Sequence, residues 1–230
     1  MTEEEWLTTD DFWQMHGHLW ETVKGRPRKY RLAGCGVFRL IRQGTFSEEE
    51  ARLLDLGESF ADDPLLADRV AAYKKVDEIP NTFPFDVCYP PEYGDYGSNS
   101  VARVVSFMQD RLEDSWWEQH PSYDDDEDEA QREAGRNFQR QADVAGATVL
   151  RDIFGNPFRP VAFSPTWRTD TALILAREMY ESRDFGAMPI LADALQDAGC
   201  DNDGILSHCR DTNQPHVRGC WVTDLVLNKA

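Results

Sequence analysis

The chain has 230 residues, 24 Lys and Arg against 42 Asp and Glu, and a formal net charge of −18. Apolar residues make up 41% and charged residues 29%, a balance that excludes a disordered chain and a membrane-embedded one. The length allows one large domain or two small ones with a core that needs no disulfide or metal, and so acidic a surface argues against grasping nucleic acid or anionic lipid.

The charge is uneven. Residues 151–230 carry a net −3 and the first 150 carry −15, with six acidic residues in the run from Asp124 to Glu129. The plain reading is solubility; the sharper one is a surface for a basic partner or a nucleic-acid mimic. The opening Met1-Thr2-Glu3-Glu4-Glu5 is acidic where a secretory leader is basic, and there is no long apolar run, so the expected location is the cytoplasm, away from membranes. Five cysteines (Cys35, Cys88, Cys200, Cys209, Cys220) are an odd number, which fits reduced thiols there.

The dominant period is helical. Phe12, His16, Leu19 and Val23 form one apolar stripe, and Tyr30, Ala33, Val37 and Leu40 form the next, between Pro27 and Gly44. Ser47-Glu48-Glu49-Glu50 is a capping box, in which a hydroxyl and a carboxylate satisfy free amides at a helix start; Leu53, Leu56 and Phe60 mark the buried face behind it. Leu66, Val70 and Tyr73 predict a short helix after Pro64. Prolines, glycines and aromatics over 77–98 predict an ordered loop, and the helical period resumes from Val101 through Met108 to Trp116. The acidic run is expected to be a solvated tip. Phe138, Ala142, Ala145, Val149 and Ile153 then predict a long helix. Three prolines exclude helix over 155–167. Helices are expected around Ala172–Met179, from Pro189 to a stop at Gly199, from a cap at Asp201 through Cys209, and around Trp221–Val226. The reading is an all-α fold: an N-terminal acidic region over 1–120 and a C-terminal region over 131–230, with the acidic loop 121–130 between them.

Two stretches carry a resemblance. The opening MTEEEWL with Arg28-Lys29-Tyr30-Arg31-Leu32 before Cys35, and the closing blocks LRDIFGNPFRPV (150–161), PILADALQDAGC (189–200) and HCR…HVRGCWVTDLVL (208–227), resemble a group of paralogous planctomycete-type proteins. Here Gly34 and Gly36 flank Cys35 where that group has a cysteine-rich run. The resemblance implies a mainly helical cytoplasmic protein and transfers no catalytic or binding residue.

The most specific chemical cluster is Cys200, Cys209, His216 and Cys220, spaced C-x8-C-x6-H-x3-C, with His208 as a spare. Zinc takes four such soft or borderline donors in a tetrahedron, normally from tight C-x2-C pairs, and no such pair exists here. The preferred expectation is therefore no metal or other cofactor: a clasp in which the thiols act as small core residues and His216 and Arg218 bond carbonyls or carboxylates such as Asp224. Zinc on these residues is the alternative. A Cys209–His nucleophile is disfavoured because adjacent helical residues such as His208 and Cys209 point about 100° apart. Asp201-Asn202-Asp203-Gly204 fails as a calcium loop, since Gly199 and Arg210 would occupy its first and twelfth positions. His16 on the apolar stripe and Trp116-Trp117 read as core. No nucleotide-binding, zinc-protease or serine-hydrolase motif occurs. The functional expectation is a non-enzymatic interaction or adaptor module with a protein partner, a basic one among the candidates, and the alternative is a zinc- or Cys/His-dependent regulatory protein.

Overall fold

A computed structural model describes residues 1–23, 25–42, 47–63, 101–108 and 129–229. Every regular element among these residues is helical and none is a strand, as the periodicity predicts. The chain divides into two compact units, Met1–Ala147 and Thr148–Ala230. The loop expected at 77–98, the helix on Leu66, Val70 and Tyr73, Trp116-Trp117, and residues 121–128 lie outside the described residues.

In the first unit, α1 (Glu3–Thr8) opens on a capping box in which Thr2 Oγ1 accepts from the Glu5 amide and the Glu5 carboxylate accepts from the Thr2 amide. Helix α2 (Phe12–Thr22) is capped by Asp11 and buries Phe12, Met15, His16 and Leu19. Helix α3 (Pro27–Arg42) starts on its proline and buries every residue from Tyr30 to Phe38, a far wider face than a single stripe. Helix α4 (Glu48–Asp62) has the expected Ser47–Glu50 box. Its buried positions include Leu53, Leu54, Gly57, Phe60 and Ala61, so Leu54 lies in the core while Leu56 sits at its edge. Helices α3 and α4 are tied by Arg39, whose Nε lies 2.7 Å from a Glu58 oxygen and whose Nη2 lies 2.8 Å from Asp55. Residues 101–108 are helical and bury Val101, Val104, Val105 and Met108.

Helix α5 (Glu129–Phe154) crosses the division at residue 147, and it buries Ala142, Ala145, Val149 and Ile153 as the stripe predicts. It also buries Asp152 completely. It stops at Gly155, which adopts a φ of +66° that glycine takes without a Cβ penalty.

In the second unit, Pro165–Trp167 forms one 3₁₀ turn inside the stretch expected to be free of helix. Prolines exclude a helix interior, and a first-turn proline lacks only an amide that would be unsatisfied in any case. Arg168 then donates to the carbonyls of Leu225 and Val226, acceptors in the last turn of the last helix. Helices α6 (Asp170–Ser182), α7 (Met188–Asp197), α8 (Asp203–Arg210) and α9 (Trp221–Leu227) enclose a core that includes Met179, Leu191, Leu195, Ile205, Cys209 and Val226. The cap of α8 is Asn202, whose side chain accepts from the Ile205 amide, rather than Asp201. No helix among the described residues is long and apolar enough to cross a membrane.

Candidate metal centre

Three helix ends and one connection in the second unit deliver four donor side chains to one point. Asp152 comes from the last turn of α5, His208 from the last turn of α8, His216 from the connection after α8, and Cys220 from the residue that caps α9. One ligand atom from each lies within 4.8 Å of all the others. His208 Nε2 is 3.3 Å from Asp152 Oδ1 and 3.2 Å from Cys220 Sγ. His216 Nδ1 is 2.7 Å from the same Asp152 oxygen and 3.9 Å from Cys220 Sγ.

The local sequence explains this convergence. His216 and Cys220 flank a tight turn closed by the Cys220 amide on the Val217 carbonyl, with Gly219 at a φ of +96°. That turn also aims the Val217 amide at Asp152 Oδ2, 2.8 Å away, which fixes the carboxylate and leaves Oδ1 to face both imidazoles. The rings of His208 and His216 meet edge to face at 4.8 Å, and Trp221 covers His208 at 5.2 Å. On the far edge of its ring, His216 Nε2 is buried and makes no hydrogen bond among the described residues. His216 and Cys209 also line a neighbouring cleft of about 260 Å³ between Phe185 and Gln214.

The group is shut off from solvent. Asp152 and Cys220 are fully buried, and the side chains of His208 and His216 are 9% and 6% exposed. Burial by itself raises the Asp152 pKa, but hydrogen bonds from His208 and His216, with their charges, more than offset it and hold the carboxyl below its ordinary value. For Cys220 burial dominates, the Asp152 charge adds to it, and the thiol is pushed well above its ordinary range. A Cys–His nucleophile needs the reverse, a depressed thiol with access to substrate, so this thiol does not suit that role.

Of the residues singled out by spacing, His208, His216 and Cys220 come together. Cys200 and Cys209 do not join them: both are buried in the apolar core of the unit, and burial raises the Cys209 thiol to about 12. His208 and Cys209 diverge as their adjacency on a helix requires. The His216 partner is Asp152, 64 residues away, in place of the expected Asp224. Asp152 was missed by spacing, yet a signal exists: it lies three residues after Val149 and seven after Ala145, so a lone carboxylate falls on the apolar stripe of α5. The four residues thus form a group able to hold a metal ion, in an all-helical unit. No family model, curated protein or solved structure matches the chain.

Proposed function

We propose that the protein is a non-enzymatic interaction module whose C-terminal unit is clasped by one structural zinc ion on Asp152, His208, His216 and Cys220. The observation that carries the reading is the convergence of four buried donors of the right chemistry. A tetrahedral zinc with ordinary bond lengths has N···O edges of about 3.4 Å and N···S edges of about 3.6 Å. The two N···S separations, 3.2 and 3.9 Å, and one N···O separation, 3.3 Å, fall within about 0.4 Å of those values. The His216–Asp152 contact, 2.7 Å, has to open by about 0.7 Å, and the widest separation in the group, up to 4.8 Å, has to close by up to about 1.2 Å.

Charge supports the same ion. A carboxylate and a thiolate together balance a divalent cation, and two neutral imidazoles complete the shell, so the buried site carries no net charge. Sulfur with two nitrogens favours zinc over the oxygen-loving magnesium and calcium. Four protein donors fill a tetrahedron and leave no position for water or substrate, the mark of a structural rather than a catalytic centre. The short His216–Asp152 contact favours the competing reading, a metal-free clasp held by hydrogen bonds from both imidazoles to one carboxylate.

Cobalt(II) substitution separates the two. The zinc reading predicts the visible bands of tetrahedral cobalt with one thiolate charge-transfer band, which Cys220→Ala removes and Cys209→Ala retains. Failure of the full chain to take up cobalt leaves the metal-free clasp.

A further inference from the structure

Helix α2 has two apolar faces. One is spent on the core through Phe12, Met15, His16 and Leu19. The other carries Trp13 and Trp20, which are 46% and 40% exposed. Trp13, Gly17 and Trp20 follow each other at spacings of four and three, so they share one face, with the glycine between the two indoles. A Cβ on Gly17 would meet no atom within 4 Å, so the space between the rings is open. The indoles are held from beneath: Trp13 packs edge-on against buried Phe12 at 5.0 Å, and Trp20 stacks on buried His16 at 6.2 Å. Two supported tryptophans around a notch make a pre-organised contact surface of the kind that dominates protein–protein binding energies.

Charge decides what can sit there. Residues 1–23 hold six carboxylates, Glu3, Glu4, Glu5, Asp10, Asp11 and Glu21, and no lysine or arginine; of the five cations that follow, Lys24, Arg26, Arg28, Lys29 and Arg31, Arg28 is paired with Asp62 and Arg31 is buried, and the chain as a whole carries −18. A second copy of the chain would bring an equal set of carboxylates against these, and an anionic membrane or nucleic acid would be repelled as strongly. A cationic amphipathic helix satisfies both features. Its aliphatic side chains fill the notch at Gly17, and its lysines and arginines meet the carboxylates and the indole faces.

We infer that the Trp13–Gly17–Trp20 face of α2 docks a basic amphipathic helix of a partner protein. This inference rests on the interaction reading above and is independent of the zinc centre.

The test uses the full chain and a synthetic Leu/Lys amphipathic peptide of about 16 residues, long enough to form a helix on binding, with a Leu/Glu peptide as the control. Calorimetry at low and moderate salt is expected to show salt-weakened binding of the Leu/Lys peptide alone. Trp13→Ala and Trp20→Ala should each weaken it by about tenfold or more. Gly17→Gln should weaken it comparably; this change fills the notch, its Cβ meets no atom within 4 Å and it favours helix, and an unchanged urea midpoint shows that its effect is not unfolding. Binding that survives all three substitutions overturns the inference and places the contact elsewhere on the acidic surface, leaving the interaction reading in place. Absence of binding to wild-type protein overturns the inference, and the interaction reading then stands only for a partner of other chemistry. Trp-dependent self-association in sedimentation, or Trp-dependent binding to neutral vesicles in place of the peptide, overturns the inference in favour of a second copy or a lipid surface.

Discussion

Gly155 couples the end of α5 to the centre, and replacing it with alanine separates two physical costs. Its φ of +66° is a left-handed conformation, which costs an L-residue about 1–2 kcal/mol. An added Cβ would also lie 3.1 Å from two ring atoms of Trp221, and forcing a methyl into such a contact costs a further 1–3 kcal/mol or so. Gly155→Ala should therefore destabilise by about 2–5 kcal/mol. Gly199 is the internal control. Its φ is +87°, but a Cβ there meets nothing within 4 Å, so Gly199→Ala should lose only the backbone part, about 1–2 kcal/mol. Urea unfolding followed by far-ultraviolet circular dichroism at unchanged slope gives both differences. Because Trp221 follows Cys220 and packs on His208, Gly155→Ala should also weaken metal retention, whereas Gly199→Ala should not. Equal losses for the two alanines would refute the argument that Trp221 is pinned against this turn.

Arg39→Ala should cost about 3 kcal/mol in urea unfolding, because it strips the 2.7 Å ion pair from Glu58, whose side chain is 2% exposed. Arg52→Ala, at a 72% exposed side chain paired only with surface glutamates, should change stability by less than about 0.5 kcal/mol. Cys220 is a neutral thiol at neutral pH before metal enters, since burial pushes its pKa up, whereas Asp152 is already ionised. Zinc binding to the wild-type chain at pH 7.5 should accordingly release at least about one proton per ion, that of the Cys220 thiol, as read by calorimetry in buffers of different ionisation enthalpy. Cys209→Ala should behave as a small cavity mutation costing about 1 kcal/mol with metal content unchanged, and the wild-type Cys209 thiol, raised to about 12, should resist alkylation in the folded protein.

The helices were legible because burial repeats at helical spacing, and the caps at Ser47 and Pro27 because their chemistry is local. Edges were less so. Asp201 and Asn202 both have capping side chains, and which one reaches the Ile205 amide depends on how the chain turns out of Gly199. Leu54 and Leu56 are equally apolar, and only the tertiary packing around α4 puts the first inside. The C-terminal donors were visible as types, but spacing overvalued thiols: Cys200 and Cys209 look like ligands in a list and are core residues in space. Asp152 was hidden because its partners lie 56 and 64 residues further on, and a contact between distant segments leaves no periodic trace. The carboxylate on an apolar stripe was the one local sign, since an ion is buried only where something balances it.

On the zinc reading, Asp152, His208, His216 and Cys220 converge to hold a metal. Its most direct test is elemental analysis of the full chain purified without chelator, paired with thermal unfolding before and after chelation. One zinc per chain is expected, lost from Asp152→Ala and Cys220→Ala but kept in Cys200→Ala, with a large fall in melting temperature when zinc is removed. A folded protein with no stoichiometric metal and a melting temperature indifferent to chelator and to added zinc would contradict it, and would leave the four side chains as a hydrogen-bonded clasp.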